Sequence, residues 1–149
     1  TALACAREGA RVVVNCARSE AEAYETARAV EAAGGEALVV GADVTREAEV
    51  KALVGRAIER WGGVDVLVNN AGTTVFADVA DLDAITDEAW DRLFAVNVKG
   101  AWYAARTCAP TLKERGGAIV NVASIAGATA FLLPPISAAI QPGAAAGDD

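Results

Sequence analysis

Asn69-Asn70-Ala71-Gly72 closes the apolar run Val64-Asp65-Val66-Leu67-Val68. A valine-rich run that ends in Asn and Gly predicts a buried strand leading into a tight turn. In an open parallel sheet such a turn lies at the carboxyl end of a strand, where sheets of that kind bind ligands. Two small amides, an alanine and a glycine leave the backbone bare, so a flat ligand can approach it closely. Ser124 follows a second such run, Ala118-Ile119-Val120-Asn121-Val122, and its hydroxyl can hydrogen-bond a carbonyl or an alcohol. Asn97 sits inside a stretch predicted as helix, where its amide competes for backbone groups. No glycine-rich phosphate turn precedes the first strand, and no tyrosine is followed four residues later by lysine. The chain reads as the middle of an enzyme.

The elements that would hold these residues share one pattern: a helical stretch, then glycine, then an apolar strand. It occurs at Glu8-Gly9 before Arg11–Val14, at Gly34-Gly35 before Ala37–Val40, at Gly62-Gly63 before Val64–Val68 and at Gly116-Gly117 before Ala118–Val122. Glycine just past a helix end accepts the left-handed conformation that stops the helix. Strands alternating with longer helices predict βαβ units and one parallel sheet. Thr1–Glu8 reads as the body of a helix. Ser19 and Glu22 form a capping-box pattern for a helix over Glu20–Ala33. Thr45 is expected to cap Arg46–Arg60, and Thr86 a long helix from Asp87 towards Leu112. After Gly127 the Pro134-Pro135 pair blocks helix, and the last eight residues have the composition of a disordered tail.

Composition narrows the function classes. The chain has 149 residues, 54% hydrophobic and 22% charged, with a net charge of −7. That is a globular composition, long enough to bury a core. An acidic chain lacks the Lys/Arg excess that nucleic acid or an anionic membrane surface requires. The uncharged stretch Gly116–Gly147 is broken by Asn121, Ser124, glycines and prolines, which argues against a membrane span. There is no histidine, and Cys5, Cys16 and Cys108 are widely spaced, so no zinc pattern is present. Isolated thiols and the lack of a signal-peptide pattern suit the cytoplasm.

Taken in order, four groups of residues resemble the short-chain dehydrogenase/reductase family, especially its 3-oxoacyl-thioester-reductase-like and sugar-alcohol-dehydrogenase-like members. They are Asp43-Val44, Asn69-Asn70-Ala71-Gly72, Asn97-Val98-Lys99-Gly100 and Ile119-Val120-Asn121-Val122-Ala123-Ser124. The resemblance covers Thr1 to about Gly127 and implies an α/β chain. Residues 1–127 would form a partial three-layer Rossmann domain without its first strand and C-terminal third, and residues 128–149 a divergent irregular tail. It implies that Asp43 and Val44 face the adenine of a nicotinamide cofactor, and that Asn70, Ala71 and Gly72 line its ribose region. A plain helix-dipole charge at Asp43 and an ordinary turn at 70–72 are the competing readings. Ser124 would orient the substrate oxygen. Asn97 would lie at a helix distortion and support a water leading to the catalytic lysine. Irregular turns inside helices often mark such places.

The strand Val12–Val14 ends in Asn15-Cys16-Ala17-Arg18-Ser19. An acidic residue there would bind the ribose hydroxyls of NAD, whereas an arginine accommodates the phosphate of NADP. With Arg18 and no carboxylate, the expected cofactor is NADP, with NAD as the alternative. The family's Gly-rich turn would precede Thr1–Glu8, and its Tyr-x-x-x-Lys pair would follow Ser124. Neither occurs in these residues, so the chain is expected to be a fragment of an NAD(P)-dependent oxidoreductase, marginally stable or unfolded alone and inactive. The other reading is a non-enzymatic truncated relative, or a subunit that needs a partner chain. The substrate implied for a full-length relative is a small carbonyl or alcohol. The resemblance implies a homo-oligomer, since family members often pair through the long helix, with an incomplete interface here because its second helix is not among these residues.

Overall fold

The computed structural model describes residues 1–75 and 81–124. The expected tail at 128–149 lies outside the described residues. The chain divides into two compact units, Thr1–Val64 and Asp65–Asp149.

The first unit runs α1 (Ala2–Arg7), β1 (Val12–Cys16), α2 (Glu20–Ala32), β2 (Ala37–Gly41) and α3 (Glu47–Trp61). β1 and β2 pair in parallel, with Val12 opposite Ala37 and Cys16 opposite Gly41. Val30 of α2 and Val50 of α3 are fully buried, among Ala6, Ala23, Ala27, Val54 and Ala57. Small side chains let α1 lie close to the α2–β2 turn: a Cβ on Gly35 would already sit 3.0 Å from the Cβ of Ala6. At the amino end of the strands, the Arg11 guanidinium lies 5.7 Å from the centre of the Trp61 ring. The Trp61 indole N–H donates to Glu36 at 3.2 Å.

The second unit runs β3 (Val66–Asn69), a 3₁₀ turn (Leu82–Ala84), α4 (Asp87–Leu93), a π-helical segment (Phe94–Gly100), α5 (Ala101–Arg115) and β4 (Ala118–Asn121). β3 and β4 are parallel, with Val66 opposite Ala118 and Asn69 opposite Asn121. Leu93 is fully buried against Val75 and Ile85. The Arg115 guanidinium grips both carboxylate oxygens of Asp65, at 2.7 and 3.3 Å, which ties the α5–β4 turn to the start of β3.

Several expectations hold. The glycine after α1, α2, α3 and α5 is left-handed in each case: φ is 85° at Gly9, 83° at Gly34, 81° at Gly62 and 65° at Gly116. Thr86 does cap α4, its hydroxyl oxygen accepting the Ala89 N–H at 3.3 Å.

Others are corrected. The strands are parallel but form two two-stranded sheets, not one. Neighbouring strands join a sheet only by exchanging backbone hydrogen bonds, and no described strand fills the place beside β1 where the family's first strand would lie. β3 is not a fully buried strand, because Val66 is 55% exposed. A parallel strand is sealed only when a layer covers each face. Ser19 stands at the N-cap of α2 without a side-chain cap bond, its backbone at φ −89°, ψ 60° lying off the extended geometry that aims a cap. Thr45 is not the cap of α3; Arg46 is, because the Thr45 hydroxyl is engaged with Asp43. The long helix breaks into α4, the π-helical segment and α5. Among the described residues no helix is long and apolar enough to cross a membrane.

Gly117 shows how tightly the second unit is joined. A Cβ there would overlap the Asp65 carbonyl oxygen and lie 2.7 Å from Leu112 Cδ2. Backbone cannot yield as a flexible side chain can, so Gly117→Ala is expected to cost about 1–3 kcal/mol, the usual range for overpacking. Urea unfolding of the variant beside the parent measures it, and a loss under about 0.5 kcal/mol would show that the turn relaxes freely.

Candidate functional site

The candidate residues sit at the carboxyl ends of strands. In the first unit β1 and β2 end level with one another, the Ala42 N–H donating to the Cys16 carbonyl at 3.0 Å. The chain then leaves β1 towards Arg18 and leaves β2 towards Asp43. Arg18 is exposed, while Asp43 and Val44 are half-buried.

Asp43 is held on both sides. Its Oδ1 accepts the Thr45 backbone N–H at 2.9 Å and the Thr45 hydroxyl at 2.8 Å. Its own N–H donates to Glu49 Oε2 at 2.7 Å, and Glu49 Oε1 accepts from Arg46 Nη1 at 2.9 Å. The Thr45 N–H, then the Thr45 hydroxyl, hold the Asp43 carboxyl below its ordinary range against the opposing effect of burial, with smaller help from the charges of Arg46 and Arg18. The N–H of Asp43, then Arg46, lower Glu49 in the same way. A carboxylate kept ionised in this way is an acceptor only. It suits a ligand that presents N–H groups, such as an exocyclic amine.

In the second unit the strand ends are joined by a pair of amides. Asn69 Nδ2 donates to Asn121 Oδ1 at 2.9 Å, and the Val122 N–H extends the ladder to the Asn69 carbonyl at 2.9 Å. Beyond this pair the chain runs to Asn70, Ala71 and Gly72 on one side, all exposed, and to half-buried Ser124 on the other.

Asn97 lies in the π-helical segment, as expected of a helix distortion. Its side-chain amide grips the strand-end loop: Oδ1 accepts the Thr73 N–H at 2.8 Å and Nδ2 donates to the Thr73 carbonyl at 3.0 Å. This pair brings Asn97 beside Gly72, whose Cβ, if present, would lie 3.7 Å from Asn97 Oδ1.

Sequence reasoning singled out Thr45 only as a helix cap, not as the partner of Asp43, and did not single out Glu49, Thr73 or the Asn69–Asn121 amide pair. Two signals were available. Asp-x-Thr spells a local turn closed by side-chain hydrogen bonds, and Glu49 stands three residues after Arg46, the position from which an acidic residue reaches back to cap a helix. Among the described residues no group of three or more His, Cys, Asp or Glu could hold a metal ion. The three thiols are free, and burial pushes Cys108 up to about 11.

The donor set fits the adenosine half of a nicotinamide cofactor. An ionised acceptor stands at the carboxyl edge of β2, and a guanidinium follows the adjacent edge of β1.

The family model described as short chain dehydrogenase matches residues 1–139. A protein of Streptomyces violaceoruber named for ketoacyl reduction in the granaticin polyketide synthase is 47% identical over 82% of this chain and 48% of its own length. The L-rhamnose 1-dehydrogenase (NAD(P)(+)) of Azotobacter vinelandii is 40% identical over 81% of this chain and 48% of its own. A solved structure, the NADH-dependent reductase A1-R′ responsible for alginate metabolism, superposes with a TM-score of 0.84 at 28% identity, covering 94% of this chain and 59% of that one. The chain thus spans about half the length of the curated relatives it matches. With a family match over most of its residues and a parallel α/β architecture that carries the motifs at strand ends, the chain belongs to the short-chain dehydrogenase family.

Proposed function

We propose that these residues supply the adenosine-binding part, and some of the substrate-facing part, of an oxidoreductase that transfers hydride between NADP(H) and a carbonyl or secondary alcohol. The observation that carries the cofactor assignment is the placement of Arg18 and Asp43 beyond paired strand ends. Asp43 and Val44 face the base, and Arg18 meets the 2′-phosphate. No carboxylate stands between β1 and Arg18 to repel that phosphate. Asn70, Ala71 and Gly72 line the ribose region. Among the described residues the contacts that a Cβ on Gly72 would make are ordinary ones, Asn97 Oδ1 at 3.7 Å and the Asn70 carbonyl at 3.9 Å, which supports close approach by a ligand as the reason for a glycine there. When bound, the nicotinamide carries the hydride. Ser124 hydrogen-bonds the substrate oxygen, and Asn97 holds the loop that carries Asn70–Gly72. Relatives named for ketoacyl reduction and for sugar oxidation support a small-molecule carbonyl or alcohol as substrate. A polypeptide of residues 1–149 would bind the cofactor weakly and would not turn it over.

Isothermal titration of the 149-residue polypeptide with NADPH and NADH tests this reading. NADPH is expected to bind more tightly than NADH, yet more weakly than low micromolar, because no glycine-rich phosphate turn precedes the first strand in these residues. Arg18→Ala is expected to remove the preference, a change of about tenfold or more for one charge-assisted phosphate contact. Equal affinities, or a preference for NADH, would reassign the cofactor to NAD. A low-micromolar constant for NADPH would show that the diphosphate cradle is dispensable.

A further inference from the structure

Asp43 is built asymmetrically. One carboxylate oxygen, Oδ1, takes two hydrogen bonds from Thr45, one from the backbone at 2.9 Å and one from the hydroxyl at 2.8 Å. Among the described residues no hydrogen bond reaches Oδ2. The backbone of Asp43 is fixed as well, its N–H held by Glu49 Oε2 at 2.7 Å, and Glu49 is steadied by Arg46. The carboxylate plane therefore cannot turn about its last torsion without breaking two bonds. Helix capping alone does not call for this arrangement: Arg46, not Asp43 or Thr45, stands at the N-cap of α3, and the Thr45 hydroxyl points back to Asp43 rather than forward into the helix. All of these residues lie within the first unit, Thr1–Val64, so the arrangement is complete in one compact body.

We infer that Thr45 and Glu49 are positioning residues for base recognition: they lock Asp43 so that Oδ2 alone faces the ligand, and so make the site select a purine with an exocyclic amine over one with an oxygen in its place. This rests on the proposed role of Asp43 towards the cofactor's base. The selection follows from the groups involved. An adenine amine presents N–H to the carboxylate, whereas the oxygen at the same place in hypoxanthine presents a lone pair and is repelled. A fixed carboxylate enforces that difference, because a site built to accept a hydrogen bond rejects a ligand that cannot donate one. A carboxylate free to turn could move away from the oxygen and would discriminate less.

The test uses the 149-residue polypeptide and two soluble probes, adenosine 2′,5′-bisphosphate and inosine 2′,5′-bisphosphate. Binding is followed by titration of the Asp43 and Val44 backbone amide resonances. The parent is expected to prefer the adenosine probe by about tenfold, the value of one charge-assisted hydrogen bond. Thr45→Val keeps the side-chain shape and the backbone donor but removes the hydroxyl, and the preference should fall to about threefold or less. Thr45→Ser restores the hydroxyl and should restore the preference. Glu49→Leu should lower it, while Glu49→Gln, which still accepts the Asp43 N–H, should keep most of it. A merely structural role for Thr45 would weaken both probes alike and leave their ratio unchanged. That outcome, with a discriminating parent, overturns the inference and spares the role of Asp43. A parent that binds neither probe, or binds both equally, overturns the role of Asp43 and the inference with it.

Discussion

A purified polypeptide of residues 1–149 is expected to leave NADPH unconsumed when offered ketones, aldehydes or 3-oxoacyl thioesters. Hydride transfer to a carbonyl builds negative charge on its oxygen, and a proton must reach that oxygen from a group of suitable pKa. The Ser124 hydroxyl can stabilise the charge with a hydrogen bond, but it is far too weak an acid to supply the proton. The chain's two tyrosines do not fill the gap. Tyr24 is an exposed residue of α2, and Tyr103 lies on α5 with the Arg106 guanidinium 5.6 Å from its ring centre. Neither has a lysine one helical turn later, since residue 28 is Arg and residue 107 is Thr. Loss of a general acid alone lowers rates by about 10²–10⁴-fold, and weak cofactor binding lowers turnover further at any practical NADPH concentration. Absorbance of NADPH over several hours gives the readout. Turnover that disappears in Ser124→Ala would defeat the expectation and reveal a proton donor elsewhere in the chain.

The fold was legible where the physics is local. Each helix-ending glycine could be read because a positive φ is inexpensive only without a Cβ, and the four glycines adopt it. Parallel pairing followed from helices lying between strands. Sheet closure was not legible, because it depends on which strands find a hydrogen-bonding neighbour, and no local pattern encodes that. Burial of β3 was misread for a related reason: Val66-Leu67-Val68 has the composition of a strand covered on both faces, while Val66 is exposed. Composition records what a strand tolerates; coverage is settled by other elements. The site divides along the same line. Asp43, Asn97 and Ser124 stood out by residue type and position. Thr45 stood out only as an expected helix cap, and Glu49 and Thr73 did not stand out, because a contact made through a backbone group leaves little trace in side-chain type. Thr73 meets Asn97 through its N–H and C=O alone, groups that almost any residue would offer.

That indifference to residue type makes Asn97 the sensitive end of the contact, and Asn97→Leu is expected to cost about 2–4 kcal/mol. The substitution leaves two backbone groups of Thr73 without partners, and each such group costs about 1–3 kcal/mol when water is kept from it. Thr73 and Asn97 are both half-buried, so water recovers part of the loss, and leucine's better helix propensity returns about half a kcal/mol. The expected cost therefore lies in the lower part of the roughly 2–6 kcal/mol to which two full penalties would sum. The second effect is local. Thr73 is the anchor of the loop that carries Asn70–Gly72, and without it the loop's opening should no longer depend on unfolding of the unit. Hydrogen exchange at the Thr73 amide should accelerate more than exchange at Val122, whose N–H is held by the Asn69 carbonyl in the β3–β4 ladder. Asn97→Asp separates the two bonds. It keeps an acceptor for the Thr73 N–H but sets a negative oxygen against the Thr73 carbonyl, so it should preserve the slow amide and still lose stability. Urea unfolding with residue-resolved exchange measures both effects. If Asn97→Leu stayed within about 0.5 kcal/mol of the parent with an unchanged Thr73 amide, the loop would owe its position to something other than this side chain, and Asn97 would have no positioning role to play in the site.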